Sequence, residues 1–276
     1  MMGKAIRFDR TGGPEVLQLR DVDVGAPGPG QARVRHSFIA VNFIDVYFRS
    51  GVYPLELPNG LGSDAVGVVE AVGPGVTEVK PGDRVGYLIG PQGAYADVRL
   101  VPAAVLIPLP DGIDDRSAAS LMMKGMTAQY LFRQVYPLHG GETILYHAAA
   151  GGVGLIACQW ARALGVTMIG TVSSDAKAEI ARAHGCTHTI VTSREDIATR
   201  VRELTDGKGV PVVFDSVGKD TLMASLDSLQ PRGALVSNGT SSGPVLVDSQ
   251  LLAIKGSLWM TRPAMMHYIQ PRAHML

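Results

Sequence analysis

At 276 residues, with 46% hydrophobic and 18% charged side chains, the chain is long enough to bury two globular cores. Its 25 basic and 25 acidic residues cancel, and no basic run interleaved with aromatics occurs, so nucleic acid is not an implied partner. No apolar run reaches membrane-spanning length and the start is polar after Met2, so neither membrane insertion nor secretion is expected; the two cysteines, Cys158 and Cys186, suit a reducing, cytoplasmic setting as small core residues.

In chain order, strands are predicted at residues 4–8, 16–21, 31–40, 66–72, 84–88, 94–101 and 105–107. Gly12-Gly13-Pro14, Gly73-Pro74-Gly75 and Lys80-Pro81-Gly82-Asp83 punctuate them, and turns so frequent suit a twisted, partly closed β-barrel. At Asp114 the pattern changes. Asp114, Asp115 and Ser117 suit a helix start, and that helix carries Ala118, Leu121 and Met122 inward.

The second half alternates strand and helix. Strands are predicted at 143–146, 166–172, near Thr189, at 210–215 and at 234–237, with helices from Val153, Ala176, Glu195 and Thr221. Strict alternation implies a parallel sheet with helices on both faces, the doubly wound dinucleotide-binding fold, and makes the whole chain α/β. Ligands of such sheets bind beyond the carboxyl ends of the strands, which brings Ser216 and the run Asn238-Gly239-Thr240-Ser241 to that edge.

The richest stretch is Thr143 to Gly154, a short apolar strand, a turn containing Gly151, Gly152 and Gly154, and a helix that Gly165 ends. Glycines there let backbone approach a diphosphate, and the helix start, here Gly151, Gly152 and Val153, offers free N–H groups to it. The next strand ends Thr171-Val172-Ser173-Ser174 with Lys177 close behind. No acid occupies the strand tip to accept from an adenine ribose, so Ser173 and Lys177 point to the 2′-phosphate of NADPH. Ser173 and Ser174 equally suit a helix cap, and Asp175 would mark an NAD enzyme if the tip lay further on.

Five ordered motifs carry a family resemblance: Val41-Asn42-Phe43-Ile44-Asp45-Val46-Tyr47, Val79-Lys80-Pro81-Gly82-Asp83-Arg84-Val85, Lys124-Gly125-Met126-Thr127-Ala128, the turn from His147 to Gly154, and Phe214-Asp215-Ser216-Val217-Gly218. With these the chain resembles the zinc-free, zeta-crystallin-like quinone oxidoreductases of the medium-chain dehydrogenase/reductase superfamily. The resemblance implies a GroES-like catalytic domain over residues 1–126, a Rossmann NADPH-binding domain over 127–260, and at 261–276 the start of a return to the first domain. The family continues for several dozen residues beyond this chain's Leu276, so the resemblance also implies a barrel left incomplete. It implies an active cleft between the domains and a homodimer.

By the same resemblance Asn42 and Thr127 lie by the nicotinamide, and Tyr47 and Tyr53 at the substrate mouth, where a phenol would hydrogen-bond a quinone oxygen. Asp45 is expected either to orient these neighbours or to cap a helix, and Tyr47 either to meet substrate or to plug a core. Three departures stand out: Ser193 where relatives carry a tyrosine beside the adenosine phosphate, Asn238 where an aromatic is common, and Asp64 for a glutamate. The zinc branch of the superfamily has a cysteine ligand at Asn42 and a histidine and glutamate in the segment matching Gly62-Ser63-Asp64, so no metal is expected. His139, His147, His184 and His188 are read as turn or packing residues. The expected activity is NADPH-dependent quinone reduction; an NADPH-dependent enone reductase and an NADPH-binding protein without turnover are the alternatives.

Overall fold

Residues 1–270 and 272–276 are described by the computed structural model. Its early strands are β1 (Met2–Phe8), β2 (Gln18–Asp23), β3 (Gln31–Ile39), β4 (Asn59–Gly60), β5 (Ala65–Val72), β6 (Arg84–Tyr87), β7 (Val98–Pro102) and β8 (Ile107–Pro108), with helix α1 (Phe43–Ser50) after β3. Side chains alternate across these strands: Ala32 and Val34 of β3 are fully buried, while Arg33 and Arg35 turn outward to pair with Glu70. The strands form sheets of order β2-β1-β4 and β7-β3-β5-β6-β8, and Val34, Ala65, Val69, Val85, Tyr87 and Leu106 fill the core of the larger one.

Three of the predicted early strands move, the one expected at 105–107 giving way to a 3-10 turn over Ala103–Val105 that leaves β8 at Ile107–Pro108. Pro14–Val16 forms a 3-10 turn, so β2 starts at Gln18. The strand expected at 94–101 begins only at Val98, because Tyr95 and Asp97 spend their N–H groups on Leu61 and Lys4 outside that sheet. The chain divides into one unit of Met1–Met123 with Ile269–Leu276 and another of Lys124–Tyr268, so the division falls within α2 (Asp115–Tyr130). Arg272 belongs to the first unit, where it donates to the carbonyls of Ala104 and Leu106. Asp114 starts α2 as expected, accepting from the Ser117 N–H, but Leu121 is exposed rather than inward.

The second unit alternates β9 (Thr143–Tyr146), α3 (Gly152–Ala163), β10 (Thr167–Val172), α4 (Asp175–Ala183), β11 (His188–Val191), α5 (Ile197–Leu204), β12 (Val210–Asp215), α6 (Leu222–Ser228), β13 (Leu229–Ser237), α7 (Ser249–Ile254) and β14 (Trp259–Thr261). The six strands run in the order β11-β10-β9-β12-β13-β14, all parallel, which is the doubly wound arrangement the alternation predicts. Successive β9 residues serve opposite cores. Ile144 and Tyr146 pack with Ala157, Cys158 and Ala161 of α3, while Leu145 packs with Val201 of α5 and Leu226 of α6. The helix expected from Glu195 starts at Ile197, because the Glu195 carboxylate accepts from the Val191 N–H and Asp196 becomes the cap.

Phe132, fully buried, meets Tyr146 at 6.1 Å and Phe214 at 5.1 Å in edge-on contacts that close the first of these cores. Phe132→Ala should therefore cost about 3–5 kcal/mol of stability. Urea denaturation of the second unit's transition checks this, and a loss under about 1 kcal/mol would show a core able to collapse into the gap.

Candidate functional site

The glycine turn joins β9 to α3 where the parallel strands end. Ala148 takes a left-handed φ of 54°, and Gly151 caps the 12-residue helix with extended backbone. A Cβ at Gly154 would lie 2.5 Å from the carbonyl oxygens of both Ala148 and Ala149, so only glycine lets the helix start this close to the backbone of the turn. Gly151 and Gly152 are exposed at the mouth of the turn, and Lys124 of α2 runs its aliphatic stem against Gly152, 2.8 Å from where a Cβ would stand. This cradle, at the positive end of a three-turn helix, has the shape and donors that a dinucleotide diphosphate requires.

At the tip of β10 the Lys177 ammonium donates to the Ser173 hydroxyl at 3.1 Å, and both are exposed. Ser174 is the helix cap, its hydroxyl accepting from the Lys177 N–H, so the capping role falls on it and not on Ser173. Asp175 is held 2.7 Å from Arg194 and does not approach the strand tip as an unpaired acid. Ser193 follows β11 in an exposed turn. A hydroxyl and an ammonium thus stand at the strand tip, with the nearby acid paired to Arg194, and the residues present fit NADPH.

The loops after β12 and β13 are packed on each other. Asn238 donates its N–H to the Asp215 carbonyl at 2.8 Å and Ser241 to the Ser216 carbonyl at 3.3 Å, while a Cβ on Gly239 would meet the Ser216 oxygen at 2.4 Å. Ser216, Asn238, Thr240 and Ser241 therefore share one edge with the glycine turn. The Asn238 amide oxygen is buried and has no hydrogen-bond partner among the described residues. Thr127 lies half-buried on α2 in this same unit.

The other set of expected residues belongs to the first unit. Asn42 caps α1, and Asp45 completes a capping box by accepting the Asn42 N–H at 2.9 Å; the helix-cap role foreseen for Asp45 is present. The same carboxylate accepts the Tyr95 hydroxyl at 2.8 Å, and burial, reinforced by that carboxylate, holds the Tyr95 phenol well above its ordinary pKa. Asn42 also donates its side-chain amide to Asp64, which is fully buried, at 3.3 Å. Tyr47 is 8% exposed, with its ring 5.3 Å from Phe43 and 5.1 Å from Tyr53. Asn42 and Asp45 thus meet at the start of α1, while Tyr47 and Tyr53 meet toward and just past its end.

Sequence reasoning missed Tyr95, Lys124 and Arg194 as parts of these groups. Lys124 stood in a recognised motif without a role; Tyr95 and Arg194 meet their partners across 50 and 19 residues, where no local pattern points. Among the described residues no three His, Cys, Asp or Glu side chains come together to hold a metal. The amide of Asn42, the hydroxyl of Ser63 and the single carboxylate of Asp64 are not a zinc donor set.

The family description "Alcohol dehydrogenase GroES-like domain" matches residues 28–111, and "Zinc-binding dehydrogenase" matches residues 152–270. The chain is 58% identical over 269 residues to a quinone oxidoreductase of Pseudomonas aeruginosa, covering 97% of this chain and 83% of the relative. The chain belongs to the quinone oxidoreductase family. It superimposes on the crystal structure of Escherichia coli quinone oxidoreductase complexed with NADPH with a TM-score of 0.97 at 47% identity, covering 99% of this chain and 84% of that one. It is also 50% identical to a 2-haloacrylate reductase of Burkholderia, covering 99% of this chain and 84% of the relative. Membership places the chain among the medium-chain dehydrogenases/reductases, in the branch without the zinc donors.

Proposed function

We propose that this chain reduces quinones with NADPH by hydride transfer, without a metal. The observation that carries the reading is the tip of β10, where Lys177 and Ser173 present donors while the nearby acid, Asp175, is neutralised by Arg194. A 2′-phosphate is favoured by such a site and a free ribose hydroxyl gains little from it. In this reading residues 1–126 supply the substrate side, 127–260 the cofactor side, and 261–276 lead back toward the first.

NADPH, when bound, supplies the hydride. The N–H groups of Gly151, Gly152 and Val153 face its diphosphate, and Ser193, Ser216, Asn238, Thr240 and Ser241 line the same edge. Thr127 and Asn42 orient the nicotinamide, with Asp45 and Tyr53 fixing the segment that carries Asn42 and Tyr47. A quinone that accepts a hydride spreads the charge over its ring and needs one proton at oxygen, which the Tyr47 hydroxyl or water provides. No Lewis acid is required for an acceptor so electron-poor. The likeness to a 2-haloacrylate reductase favours a second acceptor class, activated carbon–carbon double bonds, in which the proton must reach carbon.

We also read the chain as a cytoplasmic homodimer. Strand β14 is the outermost of its sheet and Trp259 on it is 71% exposed, an edge suited to pairing with a second copy. Both cysteines are free and buried, as a reducing compartment permits.

Lys177→Ala should weaken NADPH about ten- to a hundredfold and leave NADH nearly unchanged, since the lost ion pair exists only with the phosphate. Titration of both nucleotides measures it, and equal weakening would remove Lys177 from the phosphate site. Tyr47→Phe keeps the ring and deletes the hydroxyl. Turnover should fall about tenfold with quinones and about a hundredfold or more with enones at unchanged NADPH affinity; steady-state rates equal to wild type with both acceptors would return Tyr47 to packing.

A further inference from the structure

Beneath the glycine turn lies a buried chain of hydrogen bonds that the proposed reaction does not use. His147, fully buried, places Nδ1 3.0 Å from the Thr171 hydroxyl and Nε2 3.0 Å from the Ser225 hydroxyl. Ser225 lies 2.7 Å from Asp215 Oδ2, and the Ala148 N–H reaches the Thr171 oxygen at 3.3 Å. Thr171, Ser225 and Asp215 are each buried, so these bonds have no water to replace them.

The direction of every bond follows from the inventory of hydrogens. The Asp215 carboxylate only accepts, so Ser225 gives it its one hydrogen and must accept from His147 Nε2–H. Burial holds the imidazole's pKa below its ordinary value, with the Asp215 carboxylate the charged group facing the ring from β12, so the ring is neutral and its Nδ1 is an acceptor. Thr171 therefore donates to Nδ1, leaving its lone pair for the Ala148 N–H. One tautomer satisfies all of them: Ala148 N–H to Thr171, Thr171 to His147, His147 to Ser225, Ser225 to Asp215.

Both ends of this chain finish at loops on the cofactor edge. Ala148 opens the glycine turn in a left-handed conformation that is unfavourable for a non-glycine residue and needs support. Asp215 accepts the N–H groups of Val217 at 2.8 Å and Gly218 at 3.0 Å, and so shapes the loop that carries Ser216. A rigid buried link thus ties the β9 turn to the β12 loop.

We propose that His147 is the positioning residue of the cofactor edge: as the Nε2–H tautomer it couples the glycine turn to the Ser216 loop and holds both in the shape that receives the dinucleotide. This rests on the NADPH reading above and adds the residues that preset the diphosphate cradle. Because the diphosphate is common to both nucleotides, the link should govern NADPH and NADH alike, unlike Lys177.

The test joins nitrogen NMR of histidine-labelled protein with nucleotide titrations of Thr171→Val, Thr171→Ser and Ser225→Ala, each with its melting temperature. The wild type should show His147 as neutral Nε2–H at neutral pH. Thr171→Val and Ser225→Ala should weaken both nucleotides about tenfold with their ratio preserved, as loss of one buried hydrogen bond from the chain implies. Thr171→Ser, which keeps the hydroxyl, should restore wild-type affinity. A purely structural role would lower the melting temperatures while both affinities stay at wild type; that result, or an Nδ1–H or protonated ring, overturns the proposal. If the wild type binds neither nucleotide, the NADPH reading itself fails and this inference falls with it, an outcome distinct from variants that bind as wild type does.

Discussion

The close approach of α3 to the turn after β9, at Gly154, is the constraint on which the second unit's packing depends. With 2.5 Å between a notional Cβ and two carbonyl oxygens, any side chain would push the helix outward. The small residues of α3, Ala157, Cys158 and Ala161, would then leave the core they share with Ile144 and Tyr146. The same approach points the helix N-terminus at the ends of the strands. Packing and the placement of the helix's free N–H groups are thus two consequences of one missing methyl group, and the loops after β10, β12 and β13 carry hydroxyls, an amide and a lysine.

The first unit contributes through polarity of another kind. Asn42 is both the cap of α1 and the donor to Asp64, and Asp45 ties the cap to Tyr95. An amide, a hydroxyl and a carboxylate stand where the zinc branch holds a cysteine, a histidine and a glutamate, a set that offers hydrogen bonds and not a zinc cage. An acceptor that stabilises its own negative charge is the substrate such a site suits, and a quinone does so through its ring.

Much of this was legible in the sequence because it is local. The strands at 143–146 and 210–215 are apolar runs bounded by turn residues, and their limits match β9 and β12; Gly165 takes the left-handed φ of 71° expected of a helix stop. What escaped depends on distant partners. β14 is only three residues long and exists because Ala234, Leu235 and Val236 pair with it. Residues 94–97 have strand-like composition, but Ala94, Tyr95 and Asp97 give their N–H groups to Gly62, Leu61 and Lys4, and Leu121 has helical spacing but stays exposed. His147 was read as a turn or packing residue. Its two buried hydrogen bonds go to Thr171 of β10 and Ser225 of α6, 24 and 78 residues away in sequence.

The central proposal is that this chain, holding NADPH at its glycine turn and Lys177, moves hydride to a quinone without zinc. Following NADPH oxidation by the purified chain with a small quinone, in the presence of a strong zinc chelator and again after zinc is added back, tests it most directly. The account predicts NADPH consumption with hydroquinone formed in equal amount, indifferent to chelator and to zinc. Consumption that stops on chelation and returns with zinc would contradict it, as would tight NADPH binding with no quinone reduced.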